Sequence, residues 1–184
     1  RDGEMLKIAL RELVNGISVA AVGDELTQLA DFVVAAVLRR ARKAVADRYG
    51  EVNVPFAAIA LGKFGGREMG YGSDLDLIFV YDETEENIRD MQLSPTEYFG
   101  AIASTVLKTL KEPTRYGILY DVDARLRPDG SKGALAIPTQ RLIQYYREEA
   151  HFWERFALMK VRAVAGDQAF CVSLETAARD IAFA

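Results

Sequence analysis

Residues Gly72-Ser73-Asp74-Leu75-Asp76 run without interruption into Leu77-Ile78-Phe79-Val80-Tyr81, so two acids stand at i and i+2 where an apolar segment begins. A short apolar run rich in β-branched and aromatic residues, entered through glycine, reads as a buried strand. Successive side chains of a strand alternate between faces. Asp74 and Asp76 therefore project together, and Leu75 and Leu77 point the other way. Two carboxylates held a few ångströms apart repel unless a cation lies between them. The chemistry that most needs such a pair is magnesium-assisted transfer of a nucleotidyl or phosphoryl group.

The rest of the composition limits what that strand can belong to. With 184 residues, half of them hydrophobic and 27% charged, the chain is long enough and mixed enough to bury a substantial core. A formal net charge of −4 weighs against a protein that coats nucleic acid, since such domains carry a basic excess. The single cysteine, Cys171, excludes an internal disulfide and fits a reducing cytoplasm. No apolar run has the length of a membrane span and no signal-peptide pattern opens the chain, so the expectation is a cytoplasmic protein without a membrane partner. The chain begins at Arg1 without a methionine and ends on a helical run, which reads as a piece of a longer polypeptide.

Periodicity predicts a short helix to Asn15 with Leu6, Ala9, Leu10 and Leu13 on one face. A long helix follows, capped by Asp24 and ending near Tyr49-Gly50. Pro55 to Leu61 suits a buried strand, and Asp74 to Tyr81 the second. Asp82 to Leu93 is polar and acidic, as expected of surface. Ser94-Pro95-Thr96-Glu97 has the form of a capping box with proline at N1, opening a helix to about Lys111. Ile118 to Leu126 reads as a third strand, with Gly133 to Ile137 returning beside it as a hairpin across the turn Pro128-Asp129-Gly130. From Thr139 a long helix is expected to roughly Val164, with Trp153, Phe156 and Leu158 in the core. The pattern is an α/β (α+β) fold, a small mixed sheet flanked by helices. It divides into a helical segment over 1–50, a sheet-bearing core over 51–138 and a helical segment over 139–184.

Each candidate group has a plain reading beside the chemical one. Asp74 and Asp76 alone could be solvated charges at a strand edge, but a buried strand has little reason to begin with two acids on one face unless something cationic binds there. Calcium suits them less, because an EF-hand loop needs oxygen ligands at the positions where Leu75, Leu77 and Phe79 stand. The lead-in Gly62 to Gly72 holds five glycines in eleven residues. It could be a mere connector. It could also let backbone at Gly65 and Gly66 approach a phosphate, with Ser73 adding a hydroxyl. It is no Walker A loop, because no Gly-Lys-Ser/Thr closes the required spacing. In Tyr120-Asp121-Val122-Asp123-Ala124-Arg125-Leu126-Arg127, strand alternation sets Asp121, Asp123, Arg125 and Arg127 on one face. This is either a surface ladder of weak ion pairs or a metal ligand beside phosphate-gripping arginines. Glu154, Arg155, Lys160 and Arg162 read as solvated helix charges, one or two of which could reach phosphates. His151, the only histidine, reads as surface or packing, and Cys171 as a small buried hydrophobe.

The stretch Ala60 to Phe79, containing Gly-Lys-Phe-Gly-Gly-Arg-Glu-Met-Gly-Tyr-Gly-Ser-Asp-Leu-Asp, resembles the nucleotidyltransferase signature of the bacterial glutamine synthetase adenylyltransferase/adenylyl-removing enzymes. Tyr120-Asp-Val-Asp-Ala-Arg-Leu-Arg-Pro128 and the block Trp153 to Asp167 look like the same family, so the resemblance spans nearly the whole chain. It implies a DNA polymerase β-like nucleotidyltransferase fold. It also implies Asp74, Asp76 and Asp123 as catalytic residues and ligands of two Mg²⁺ ions, with Asp123 preferred over Asp121. Gly65, Gly66, Ser73, Arg125 and Arg127 would then hold the ATP. The implied reaction moves AMP from ATP to a tyrosine of glutamine synthetase, with the PII signal protein as a partner of the full-length enzyme.

Family proteins carry two such domains, one attaching AMP and one removing it by phosphorolysis to ADP. Gly70-Tyr71, Gly117 to Arg125 and Asp24 to Asp31 look like the attaching half; Trp153 to Lys160 looks like the removing half. The expectation is the attaching half, with the removing half as the alternative. A noncatalytic nucleotide-sensing module and a nucleotidyltransferase acting on RNA or an antibiotic are the rivals from other classes.

Overall fold

The computed structural model describes residues 1–83 and 91–183. Helices α1 (Asp2–Asn15) and α2 (Val19–Tyr49) lead into strand β1 (Phe56–Ala60), the four-residue turn α3 (Gly62–Gly65) and strand β2 (Leu75–Tyr81). Helix α4 (Pro95–Lys111) precedes the two-residue strand β3 (Val122–Asp123) and strand β4 (Ala136–Pro138). Helix α5 (Thr139–Gln144), a π-helical turn over Tyr145–Glu149, helix α6 (Phe152–Leu158), strand β5 (Arg162–Gly166) and helix α7 (Gln168–Ala182) complete the chain.

β1 pairs antiparallel with both β2 and β5. On its other side β2 takes two parallel partners end to end: β3 beside Leu75 and Asp76, and β4 beside Phe79 to Tyr81. The result is a small mixed sheet, as the alternation of elements predicts. Alternation along β1 and β2 then divides the interior into two cores. Leu75, Leu77, Phe79 and Tyr81 face α2 and α4, whereas Ile78 and Val80 face α5, α6 and α7. The first core is bound by an aromatic seam. Phe56 stacks on Phe79 and Phe99, and Tyr81 on Phe99 at 4.8 Å between centroids. Stacked pairs of this kind add about 0.5–1.5 kcal/mol each beyond their burial.

Helix α4 starts as its sequence predicts. The Ser94 hydroxyl accepts the Glu97 N–H, and the Glu97 carboxylate accepts the Ser94 N–H. Elsewhere the structure departs from expectation. Helix α2 begins five residues earlier than the Asp24 cap, because the Ser18 hydroxyl accepts the Ala21 N–H and caps it at Val19. The anticipated buried face of α1 is exposed: Leu6, Leu10 and Leu13 lie in solvent and only Ile8 is buried. The polar segment over 82–93 falls largely on 84–90, outside the described residues.

The expected hairpin does not form. β3 and β4 both run parallel to β2, and the chain between them is tied by Arg127, which donates to the carbonyls of Ala124, Gly133 and Ala134. Those bonds replace a ladder. The long helix after Thr139 breaks at Ala150, whose backbone is extended. There the buried Glu154 carboxylate accepts the His151 N–H and the Tyr145 hydroxyl. Past this break the chain returns as β5 along the free edge of β1. Leu158 is core as expected, but Trp153 and Phe156 are exposed.

Replacing Ser94 with alanine removes the α4 cap, and the expected loss is about 1 kcal/mol of stability in urea unfolding with an unchanged denaturant slope.

Candidate active site

Asp74, Asp76 and Asp123 meet at one end of the sheet. Asp76 precedes Ile78 and Val80 on the same face of β2, so it lies on the side of the C-terminal helices, at an end they leave open. The parallel register sets Asp76 directly beside Asp123. Asp74 sits one step before β2, where the Leu75 N–H is drawn to the Asp121 carbonyl at 2.9 Å. Two strand ends and one loop thus supply the three carboxylates that the sequence named separately.

Asp76 carries the strain of both its burial and its charged neighbours. Its carboxyl is pushed up to about 6, first by burial and then by the negative charges of Asp74 and Asp123. Asp123 moves the other way. Its two oxygens accept from Arg125 Nε at 3.0 Å each and from Nη2 at 2.6 Å, and the Arg125 N–H adds a bond at 2.8 Å. The guanidinium holds this carboxyl below its ordinary value. Among the described residues no group of three or more His, Cys, Asp and Glu side chains stands as a ready metal cage. Asp123 is turned toward Arg125, as that geometry shows. The donor set still suits a hard divalent cation: all-oxygen ligands, a surplus of negative charge, and a partly buried acid that ionises reluctantly without a counter-charge.

The glycine-rich lead-in has a definite shape. Gly62 has φ +56° and lies against Asp76, where a Cβ would come within 2.2 Å of Oδ2. Only glycine gives the carboxylate that room. Gly65 is needed for another reason, since a Cβ there would meet the Lys160 carbonyl at 2.0 Å. The N–H groups of Gly65 and Gly66 are donated to Leu61 and Gly62 carbonyls, at 2.8 and 3.0 Å. Both glycines therefore shape the turn, and neither amide faces outward. Ser73 closes the following turn by accepting the Gly70 N–H at 2.9 Å, which leaves its hydroxyl proton available.

A cleft of about 390 Å³ opens beside the acids, lined by Asp74, Lys111, Asp123, Arg125, Arg127 and Ser131 among others. Arg125 is exposed there. Arg127 is only 5% exposed and spends its donors on backbone carbonyls, so it forms the cleft's floor. Burial pushes its pKa down. Asp121 does not share the Asp123 face as a ladder; it turns out to Lys111 at 3.1 Å. Lys111 and Gly62 were missed from sequence. Lys111 looked like an ordinary basic residue in a last helical turn, while the glycine's role depends on where Asp76 comes to rest. Arg162 does not reach the cleft: it forks onto Asp31 at 2.8 and 2.9 Å. Lys160 pairs with Glu68 at 2.6 Å. Cys171 is half-buried and free.

A family model described as glutamate-ammonia ligase adenylyltransferase matches residues 1–177. Among curated proteins, the bifunctional glutamine synthetase adenylyltransferase/adenylyl-removing enzyme of Xanthomonas campestris is 44% identical over 80% of this chain and 16% of its own. The proteins of that name from Chromobacterium violaceum and Brucella suis are 38% and 34% identical over 91% and 95% of this chain, each across 18% of its own length. The chain thus spans under a fifth of the curated relatives it matches.

A carboxyl with a raised folded-state pKa adds proton-linked stability that is complete below its unfolded value and is lost as pH rises through the folded one. For Asp76 that window runs from about 3.8 to about 6. In chelator, Asp76→Asn should therefore gain thermal stability over the parent as pH climbs through this window and hold the gain above it. Thermal melts at a series of pH values measure this.

Proposed function

Because the chain belongs to the glutamate-ammonia ligase adenylyltransferase family, we propose that it is an Mg²⁺-dependent nucleotidyltransferase that moves AMP from ATP to a tyrosine of glutamine synthetase, and so regulates nitrogen assimilation. The observation that carries the reading is the convergence of Asp74, Asp76 and Asp123 at one sheet end beside a cleft containing Arg125 and Lys111. The relatives' names give both adenylyltransferase and adenylyl-removing activity, so phosphorolysis of adenylyl-tyrosine to ADP at the same site is the alternative. The PII signal protein as a partner, and a cytoplasmic location, belong to this proposal. Among the described residues no helix is long and apolar enough to cross a membrane.

The three aspartates would hold the magnesium. Bound there, it supplies positive charge against the phosphates and lowers the effective pKa of the attacking hydroxyl. The other contributions come from the chain itself. Ser73 has a hydroxyl proton to donate to a phosphate oxygen. Arg125, exposed and hinged on Asp123, can turn to the triphosphate, and Lys111 adds a second cation at the cleft wall. Turning Arg125 away frees both Asp123 oxygens from the guanidinium, one to hold the cation and the other to accept the tyrosine proton. Positioning and charge complementarity supply most of the rate, as in other phosphoryl and nucleotidyl transfers.

Asp74→Asn and Asp76→Asn should each lower AMP transfer by about 10³-fold or more while far-ultraviolet dichroism stays native. The assay incubates the protein with glutamine synthetase and labelled ATP, and in parallel incubates adenylylated synthetase with phosphate. Label on the tyrosine identifies the attaching reaction, and ADP release the removing one. Near-normal turnover in either variant would show that the acids are not the site.

A further inference from the structure

Among the described residues, Arg162 is the most fully bonded cation outside the cleft. It leaves the start of β5, where it pairs with Ala60 at the end of β1. Its Nη1 and Nη2 fork onto the Asp31 carboxylate of α2 at 2.9 and 2.8 Å. The same guanidinium donates to the carbonyl oxygens of Phe64 at 3.1 Å and Gly65 at 3.4 Å. It also lies over the Phe64 ring, 5.4 Å from the centroid. Four acceptors and one aromatic face converge on a single planar cation, which a lysine cannot reproduce.

What that cation grips is one end of α3. The Phe64 and Gly65 carbonyls close the turn, and Gly62 opens it against Asp76 Oδ2. The turn is four residues long, so it acts as a short spacer between Arg162 and the acid. The fit at the acid end tolerates little, since even one added carbon on Gly62 collides with the carboxylate. Two further pairs hold the chain just beyond the turn: Arg67 with Asp24 at 2.5 Å and Lys160 with Glu68 at 2.6 Å. These ion pairs bond no atom of α3, although the Lys160 carbonyl packs against Gly65 and Arg67 also lies 3.7 Å from Asp31.

We propose that Arg162, anchored on Asp31, is a positioning residue for the nucleotidyl-transfer site, fixing through α3 the place of the Asp76 carboxylate. The inference rests on the reading of Asp74, Asp76 and Asp123 as that site. Metal sites commonly depend on residues that orient the ligands without touching the metal, and losing one costs about 10–100-fold in affinity or activity. Displacements near 1 Å cost a comparable factor in rate.

A matched control lies at the other end of the same strands. Arg42 pairs with Asp167 at 3.0 Å, and Asp167 accepts the Phe56 N–H at 2.9 Å. That brace also fastens β5 to α2, but it sits at the start of β1, remote from Asp76. The experiment compares Arg162→Met, Arg162→Lys and Arg42→Met with the parent protein, at equal folded fraction by thermal melt. Mn²⁺ affinity is read by electron paramagnetic resonance, and kcat and KM for ATP by AMP transfer to glutamine synthetase. Arg162→Met should weaken Mn²⁺ binding and lower kcat by about 10–100-fold, with KM changed much less. Arg162→Lys, which keeps the charge toward Asp31 but not the fork, should fall between, and it carries the comparison if the methionine variant does not fold. Arg42→Met should match the parent in both. Equal Mn²⁺ affinity and equal kcat in the Arg162 and Arg42 variants would overturn the proposal. A parent protein that moves no AMP refutes the proposed function instead, and the Mn²⁺ comparison then decides Arg162 alone.

Discussion

Asp76 and Asp123 are held side by side by strand register, with Asp74 one step away, and like charges at that spacing oppose the fold that brings them together. Much of the surrounding architecture answers that repulsion. Arg125 neutralises Asp123 directly, and Asp76 takes a raised pKa in a partly buried place that only Gly62 leaves open. Hydrophobic packing meets the cost from behind: the odd residues of β2 press into the α2–α4 core, and Ile78 and Val80 into the second. Asp76 is thus mounted on a strand that is anchored on both faces, with Asp123 on the neighbouring strand and Asp74 in the loop before it.

The loop from Gly62 to Ser73 shows how a flexible composition becomes a rigid element. Five glycines suggest mobility, yet Gly65 packs on the Lys160 carbonyl and the segment is fastened by Arg162, Arg67 and Lys160. Glycine here permits close approach, and charge pairs to α2 and β5 remove the freedom that glycine brings. The amides of Gly65 and Gly66 are already donated, whereas the Ser73 hydroxyl keeps a proton to give.

Much of this was legible along the chain. The paired acids, the strand behind them, the capping box at Ser94 and the second motif around Asp123 each carry their meaning within a few residues, because alternation, capping and like-charge repulsion are local rules. The breaks were not. No proline or glycine marks the break in the helix that opens at Thr139, since none stands between Thr139 and Ala165. At the break after Glu149 the Glu154 carboxylate accepts both the His151 N–H, which caps the next helix, and the Tyr145 hydroxyl, which ties the two helices together.

The sequence by itself determined the chemistry on offer: three aspartates and an arginine on apolar strands, in a mixed α/β chain. Tertiary structure decided where each charged residue stands. β1 has two edges to satisfy, and residues 162–166 became a strand because that edge required a partner, whatever their helical spacing. That pairing took Arg162 from the solvated helix face where periodicity put it and set it on Asp31. Arg127 likewise went inward, because the carbonyls between β3 and β4 needed donors once each strand paired with β2 instead of with its neighbour. Local spacing names the groups; the unmet hydrogen bonds of distant backbone choose their positions.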